Sequence, residues 1–323
     1  MTSRDRLKKS LCFEEFDIVP LETESEADGF ESDVLCPNYT YGKGKSAGAY
    51  GKKGAYLDSW GSLWECGEDG VKGEVKKPML ADWAALDRFV PPFDVLDEAD
   101  LSSVNRQCEN TDKFVMHMWA IEPFQRIQYL RGTENVFIDL AYGDDRIIKL
   151  RDMVHEYYLK EVEMWARTDV DGVHIEDDWG TQIALLISPD MWREYFKPLY
   201  KDYCDIAHSK GKLVVMHSDG MIEDIIPDLI EIGVNAVNAQ LDCMNVENLT
   251  ERYHNKIAFW GGFDRQYLLP FGTEEEVRAE VRRIKRSFFR YGKTGVVGQC
   301  FRDKGAKDDN IRAVYDEWRN TIM

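Results

Sequence analysis

A histidine and an aspartate, His217 and Asp219, stand at the end of the apolar run 214–216 and are followed by Gly220. The run predicts a β-strand, and alternate residues of a strand point to the same face, so both side chains project together from its carboxyl end. An imidazole beside a carboxylate can bind a metal ion or exchange a proton. These two residues alone leave a metal-free, hydrogen-bonded pair as the alternative.

Polar residues also follow the other apolar runs in the second half of the chain. They are Asp177, Asp178, Gln240, the segment 261–264 and Cys300. Because the carboxyl ends of parallel strands meet at one rim of a barrel, this placement predicts an active site at that rim, and therefore an enzyme. We expect one acid of the pair Asp177 and Asp178 to face the rim as a catalyst, and strand alternation leaves open which one.

Apolar runs alternate with amphipathic segments from residue 113 onwards. The predicted helices span 124–131, 145–168, 189–210, 222–232, 246–253, 274–291 and 309 to the end. Such alternation predicts a parallel α/β sheet, most simply closed into a (β/α)8 TIM-like barrel. An open doubly wound sheet is the alternative, although the sequence has no glycine-rich dinucleotide fingerprint. We predict one barrel domain over 1–323, with an N-terminal extension and lid region at 1–110 and the regular barrel portion at 111–323.

The N-terminal extension is predicted to contain a β-hairpin. Its strands are expected at 57–64 and 71–75, on either side of the turn at 68–70. The preceding stretch 42–54 is rich in glycine and lysine and predicts a loop that covers the mouth of the site. Its Gly-Lys-Ser triplet does not fit a phosphate-binding loop, because the first glycine of that motif would fall on Tyr39 and no strand precedes it.

The composition limits the classes of partner. A net charge of −18 repels polyphosphate backbones and argues against nucleic acid. The sequence contains neither an apolar run of the roughly 20 residues that a membrane span needs nor a signal peptide. Seven cysteines without close pairing fit a reducing compartment, so a cytoplasmic location is expected. The sequence leaves a homodimer open.

Several motifs resemble the uroporphyrinogen decarboxylase (URO-D) superfamily over about residues 110–320. They are Asp-Asp-Trp-Gly-Thr-Gln at 177–182, Leu-Ile-Ser-Pro at 186–189, Phe-Lys-Pro at 196–198, His-Ser-Asp-Gly at 217–220, Ile-Pro-Asp-Leu-Ile at 226–230, and Gly-Gly-Phe-Asp at 261–264 with Leu-Pro-Phe-Gly-Thr at 269–273. The segment Asp-Ser-Trp-Gly at 58–61 is similar to the methyltransferase-like branch. The resemblance implies a distorted (β/α)8 barrel.

The two chemistries of this superfamily make different demands on the N-terminal segment. True decarboxylases carry arginines there that hold the many carboxylates of the porphyrinogen. This chain instead carries Glu22, Glu24, Glu26, Asp28, Glu31 and Asp33. Because these acids would repel a polyanionic substrate, the resemblance points to the corrinoid-dependent methyltransferases.

In that branch, a His-x-Cys pair and a later cysteine bind zinc. His217 matches the histidine, Asp219 replaces the first cysteine, and Cys300 matches the later one. A carboxylate carries the same unit charge as a thiolate, so zinc binding stays feasible, but the site becomes more oxygen-like. The resemblance therefore implies that an O- or N-methyl donor passes its methyl group to a cobalamin on a separate corrinoid protein.

Five further residues complete the predicted site. His117 is expected to act with Asp177 or Asp178 in catalysis, and substrate contacts are predicted for Trp179, Gln240, Trp60 and Trp119. Two other functions are kept as alternatives. One is a carboxy-lyase in which His217 and Asp219 act as a metal-free acid–base pair. The other is a barrel that binds a tetrapyrrole or corrinoid without turnover.

Overall fold

The structure is a computed structural model that describes residues 1–23, 29–292, 295–300, 302 and 305–320, without the side chains of Trp119 and Ala120. The chain divides into two compact units. The first unit comprises Met1–Pro37, Asn105–Ala120 and Asp169–Met323, and the second comprises Asn38–Val104 and Ile121–Thr168. The prediction of a single domain with a boundary at residue 110 stays a prediction. Each unit is described separately below.

Strands alternate with helices from residue 113 onwards, as predicted. The following ranges cover both units. The strands of the described residues are β1 (Val34–Leu35), β2 (Gly54–Leu57), β3 (Leu63–Cys66), β4 (Glu74–Lys77), β5 (Phe114–Ile121), β6 (Gly172–Glu176), β7 (Leu213–Ser218), β8 (Ala236–Ala239), β9 (Ala258–Trp260) and β10 (Val296–Val297). The α-helices are α1 (Ser3–Leu11), α2 (Phe93–Asp97), α3 (Val104–Glu109), α4 (Pro123–Arg131), α5 (Thr133–Tyr142), α6 (Asp145–Ala166), α7 (Pro189–Tyr195), α8 (Lys197–Ser209), α9 (Ile226–Ile232), α10 (Val246–Tyr253), α11 (Leu268–Phe271), α12 (Glu274–Phe289) and α13 (Asp308–Arg319).

Seven parallel strands form the sheet of the first unit, in the order β1-β5-β6-β7-β8-β9-β10. The segment around Leu21 closes this sheet into a ring. Leu21 forms a parallel bridge with Gly298, directly after β10, and its carbonyl accepts a hydrogen bond of 2.7 Å from the amide of Asp33, directly before β1. The predicted TIM-like barrel is confirmed.

Apolar side chains fill the barrel because its strands are covered by helices on the outside. One buried cluster joins Met116, Val215, Ala236 and Val297 from four strands, and α1 adds Leu7 and Leu11. Strands this apolar alternate with helices that carry clear start signals. The N-terminus of α12 is an example, because Thr273 and Glu276 form a reciprocal capping box.

The helices differ from the prediction in two ways. The segment 189–210 forms α7 and α8 instead of one helix, since Pro198 lies in the first turn of α8 and cannot continue the hydrogen-bond ladder of α7. The helices α2, α3, α5 and α11 were not predicted. No helix of the described residues has the length and apolar character that a membrane crossing requires.

The second unit contains the antiparallel sheet β2-β3-β4 and the helices α2, α4, α5 and α6. The predicted N-terminal hairpin is confirmed as β3 and β4, and β2 adds a third strand. Tyr56 and Trp64 stack on one face of the sheet, with ring centroids 5.8 Å apart. The prediction that 42–54 covers the mouth of the site stays a prediction.

Candidate metal centre

Three potential metal ligands meet where β6 and β7 end. Asp178, His217 and Asp219 each offer one ligand atom, and these atoms all lie within 4.8 Å of one another. Nε2 of His217 is 3.5 Å from Oδ1 of Asp178 and 3.8 Å from Oδ1 of Asp219. Ligand atoms that bind one ion at about 2.0–2.2 Å are separated by similar distances. The His217 ring is buried, whereas both carboxylates are partly exposed.

Parallel strand pairing brings these residues together. Glu176 pairs with His217 in the register of β6 and β7, so the segments beyond the two strands leave the sheet side by side. Beyond the strands, the amide of Asp219 donates to Oδ1 of Asp178 at 2.9 Å, and the amide of Gly180 donates to the carbonyl of Asp219 at 3.1 Å. The two carboxylates are therefore placed by backbone hydrogen bonds.

A neighbouring amide fixes the orientation of the His217 ring. Nδ1 of His217 lies 2.5 Å from Oδ1 of Asn238, which is its register partner on β8. The Asn238 amide nitrogen donates to the carbonyl of Trp260 and to Oε1 of Gln299, both at 2.7 Å, so Oδ1 is the atom that faces the ring. Because Oδ1 is an acceptor, Nδ1 carries the proton. Nε2 then presents its lone pair to the two carboxylates.

This tautomer favours a cation between the three groups. A lone pair that faces two carboxylate oxygens is repulsive unless a metal ion or a proton lies between them. Outer hydrogen bonds of this kind are usual for histidines that bind metals, since they fix the ring and raise its basicity. The donor set of one imidazole and two carboxylates suits zinc and other divalent ions of similar hardness. The residues present therefore fit a bound divalent metal.

Arg265 supplies positive charge beside the cluster. Its Nη2 donates to Oδ2 of Asp219 at 2.5 Å, while Oδ1 of the same carboxylate faces His217. The guanidinium therefore occupies one oxygen of Asp219 and leaves the other for the cluster. It also offsets part of the negative charge that the two aspartates bring to the rim.

A small, partly open cavity adjoins the cluster. It is lined by His217, Asp219, Asn238, Ala239, Gln240, Asp242, Gly262, Phe263, Arg265, Gln299 and Cys300. Cys300 thus lines the same cavity as His217 and Asp219. Among the described residues, however, it is not a member of the group whose ligand atoms lie within 4.8 Å. Its predicted role as a metal ligand stays a prediction.

The Gln240 side chain reaches this cavity with a defined orientation. Its Oε1 accepts hydrogen bonds from the amide of Gly220 at 2.9 Å and from Nε2 of Gln182 at 3.4 Å. The described residues include no acceptor for its Nε2. A donor at this position can bind an acceptor atom of a substrate, and the predicted role of Gln240 stays a prediction.

Asp177 and Asp178 follow β6 and have different partners. Asp178 belongs to the cluster, whereas the fully buried Asp177 accepts a hydrogen bond of 2.7 Å from the hydroxyl of Tyr200 on α8. Trp179 donates from its indole to the same hydroxyl at 2.9 Å and is also fully buried. The structure therefore places Asp177 and Trp179 in the helix layer, and neither is among the residues that line the cavity.

The remaining predicted residues are His117, Trp60 and Trp119. His117 is buried on β5, and burial lowers its pKa to about 3, so it is neutral at ordinary pH. Burial also holds the pKa of His174 on β6 well below its usual range. Trp60 lies in the second unit, where its ring packs 4.6 Å from the ring of Tyr157. The side chain of Trp119 lies outside the described part of the chain.

Three residues of this centre were not predicted from the sequence. Asn238 and Gln299 lie within apolar runs, where a single amide residue gives no sign of a functional role. Asn238 is the register partner of His217 on β8, and Gln299 directly precedes Cys300 after β10, so their places beside predicted site residues were usable signals. Arg265 directly follows the Gly-Gly-Phe-Asp motif at 261–264, so its place after a strand end was a usable signal.

Comparisons with known proteins agree with this fold. The sequence profile of the family described as uroporphyrinogen decarboxylase (URO-D) matches residues 65–297, which is more than half of the chain. No functionally curated protein is similar enough in sequence to match.

The structure is similar to a methyltransferase from Methanosarcina mazei, with a TM-score of 0.74, 15% identity and coverage of 98% of both chains. A sugar phosphate isomerase/epimerase from Parabacteroides distasonis gives a TM-score of 0.40 at 11% identity, over 69% of this chain and 77% of that one. A xylanase from Gloeophyllum trabeum gives 0.41 at 9% identity, over 70% of this chain and 80% of that one. At these identities the similarities concern the fold. With a family profile matched across most of the barrel, this chain belongs to the uroporphyrinogen decarboxylase family.

Proposed function

We propose that this protein is an enzyme that transfers a methyl group from a small O- or N-methylated donor to a cobalamin carried by a separate corrinoid protein. The observation that carries the proposal is the convergence of Asp178, His217 and Asp219 at the ends of β6 and β7. The structural similarity to a methyltransferase over 98% of the chain supports the same class of reaction.

The proposed reaction requires a leaving group to be stabilised. Co(I) of the cobalamin would donate an electron pair to the methyl carbon, and the bond between that carbon and its oxygen or nitrogen would break, with its electrons staying on the heteroatom. A bound divalent ion would supply Lewis-acid stabilisation of that heteroatom. The cobalamin is therefore a substrate delivered by the partner protein.

The residues of the chain would divide the remaining work. Asp178, His217 and Asp219 would hold the ion, and Asn238 keeps the His217 ring in the tautomer that can do so. Arg265 restrains one oxygen of Asp219. Gln240 would donate a hydrogen bond from Nε2 to an acceptor on the donor molecule and thereby orient it in the cavity. An oxygen-rich ligand set suits hard leaving groups, so methoxylated and N-methylated donors should react before methyl thioethers.

Methylcobalamin formation tests this proposal directly. The zinc-loaded protein would be mixed with Co(I) cobalamin and a panel of methoxylated, N-methylated and S-methylated donors, and the spectrum of methylcobalamin followed. Formation of methylcobalamin, abolished in His217→Ala and retained in Asp177→Asn, is the expected result.

The carboxy-lyase is the alternative, because the matching family profile is that of decarboxylases. It is tested in the same preparation with uroporphyrinogen. This segment carries the acids Glu22 and Glu31, and its Asp33 is buried in an ion pair with Arg6. These acids provide no positive charge that could bind the carboxylates of such a substrate. Coproporphyrinogen formation without any methylcobalamin would overturn the proposed methyl transfer.

A further inference from the structure

A chain of hydrogen bonds connects the His217 ring to a carboxylate on the opposite side of the barrel interior. Oε2 of Glu22 accepts one hydrogen bond from Nε2 of Gln299 and one from Nε1 of Trp260, both at 2.6 Å. Oε1 of Gln299 accepts from Asn238 at 2.7 Å, and Oδ1 of Asn238 faces Nδ1 of His217 at 2.5 Å. Glu22, Gln299, Asn238 and His217 are called the relay below.

Only one orientation of the two amide groups satisfies every hydrogen bond of the relay. An ionised carboxylate can only accept hydrogen bonds, so Gln299 must turn its amide nitrogen towards Glu22 and its oxygen towards Asn238. Asn238 must then direct its nitrogen at Gln299, where the acceptor-only carbonyl of Trp260 holds it as well. Its oxygen is left for His217. Every donor in the relay therefore points towards Glu22.

We propose that Glu22 is a positioning residue for the metal centre. Through Gln299 and Asn238, its carboxylate keeps the proton of His217 on Nδ1 and the lone pair of Nε2 directed at Asp178 and Asp219. This inference rests on the proposed function in so far as that function assigns a metal to the cluster. It gives a role to an acid that lies in the segment where true decarboxylases of the family carry arginines.

The relay also explains why these polar groups are tolerated in an apolar barrel. Gln299 and Asn238 are 2% and 4% exposed, and a buried amide without partners would be costly. Each amide here is satisfied at both its oxygen and its nitrogen, and the row ends on a charge, which strengthens the terminal hydrogen bonds. Because all its hydrogen-bonding groups are satisfied, the relay can hold the His217 ring in one orientation.

Two measurements on the whole protein test the proposal. The first is the tautomer of His217, read from ¹⁵N NMR of histidine-labelled, metal-free protein at mildly alkaline pH, with His217→Gln to assign the signal among six histidines. The second is the Kd for Co²⁺, obtained by titration. Neither measurement depends on methyl transfer.

The variants remove the relay at two places. Glu22→Leu should redistribute the His217 proton between the two ring nitrogens and weaken Co²⁺ binding by about tenfold, as is usual for outer-shell changes. Gln299→Met should have the same effect, and the double variant should be no worse than either single one, because the residues act as a unit. Glu22→Gln keeps an acceptor oxygen and should retain the wild-type tautomer.

Glu31→Leu is the matched control, since Glu31 lies in the same segment, is exposed and pairs with Lys113. It should change neither measurement. If Glu22→Leu fails to fold, Gln299→Met decides. A wild-type tautomer and Kd in Gln299→Met or Glu22→Leu would overturn the role of Glu22 while the methyltransferase proposal stands. Loss of the tautomer in a protein that transfers no methyl group would sustain the relay and overturn the proposed function.

Discussion

Gly180 and Gly220 are in direct backbone contact: a Cβ on Gly220 would lie 2.3 Å from the carbonyl carbon of Gly180. Gly220 also has a φ of +78°, in the left-handed region that favours glycine. Each glycine lies one or two residues from a carboxylate of the cluster, Asp178 on one side and Asp219 on the other. The separation of the two carboxylates therefore depends on how closely these two backbones approach.

Substitution of Gly220 should weaken metal binding without touching a ligand. In Gly220→Ala the added methyl group must push the two backbones apart, so we expect at least a tenfold increase in the Kd for zinc and a loss of stability of about 1–3 kcal/mol. Gly211→Ala is the control, because Gly211 has a similar φ of +70° and open space around it. Isothermal titration and urea unfolding measure both quantities. Equal Kd values for the two variants would disprove the dependence.

The two aspartates that follow β6 should differ sharply in function. Asp178→Ala and Asp219→Ala remove potential ligands, so metal occupancy and the rate of methyl transfer should fall together. Asp177→Asn leaves the cluster intact and affects the hydrogen bond from Tyr200, so it should cost about 1–3 kcal/mol of stability and leave the metal in place. Elemental analysis of the purified variants reports occupancy. Loss of metal in Asp177→Asn, with the metal retained in Asp178→Ala, would show that Asp177 and not Asp178 is the ligand.

The role of Cys300 can be decided with cobalt. The cluster of described residues offers one nitrogen and two oxygen ligands, so we expect the Co²⁺ protein to lack the intense charge-transfer band of a thiolate ligand. Cys300→Ser should then bind Co²⁺ with an unchanged spectrum. A thiolate band that disappears in Cys300→Ser would instead establish Cys300 as the ligand that the sequence predicts.

The second unit contains a carboxyl group that should make stability depend on pH. Burial raises the pKa of Glu161 from 4.5 to about 7, and Tyr41 donates a hydrogen bond to it. Since the folded-state pKa lies above the unfolded value, the contribution of Glu161 is greatest below about pH 4.5 and is lost as the pH rises through about 7. Glu161→Gln stays neutral at every pH.

The stability of Glu161→Gln relative to the wild type should therefore increase across this interval, on the order of 3 kcal/mol in total. Urea unfolding of both proteins at a series of pH values measures this difference. The buried histidines affect both proteins equally and cancel. Parallel stability curves would show that Glu161 does not titrate between these values.

The barrel was predictable because each element has a strong local pattern. Apolar runs such as 214–216 predict strands, and amphipathic periodicity identified helices such as α12. The segment around Leu21 that closes the barrel was harder to predict from the sequence. Leu21 contributes a bridge to Gly298 and two hydrogen bonds with Asp33 rather than a strand, and Gly298 is far away in the sequence, so no local pattern connects them.

The site was predictable where one strand determines it and unpredictable where several strands do. The spacing of His217, on β7, and Asp219, directly after it, sufficed for the pair. Whether Asp177 or Asp178 completes the cluster depends on how β6 and the segment after it leave the sheet, which the sequence left open. Cys300 follows β10, and its distance from the cluster depends on side-chain direction at the end of a strand of two residues.

The closure of the barrel at Leu21 has a consequence for the synthesis of this protein. By the time residue 260 has emerged from the ribosome, the strands β6, β7 and β8 have emerged as well, together with Asp178, His217, Asp219 and Asn238. Gln299 has not yet emerged at that point, and the segment of Glu22 has no β10 to join. Because a pairing between positions 21 and 298 must wait until residue 298 has emerged, the nascent protein holds its three ligands and Asn238 before Gln299 and Glu22 can complete the relay. Maturation of the centre is thereby coupled to the last step of folding.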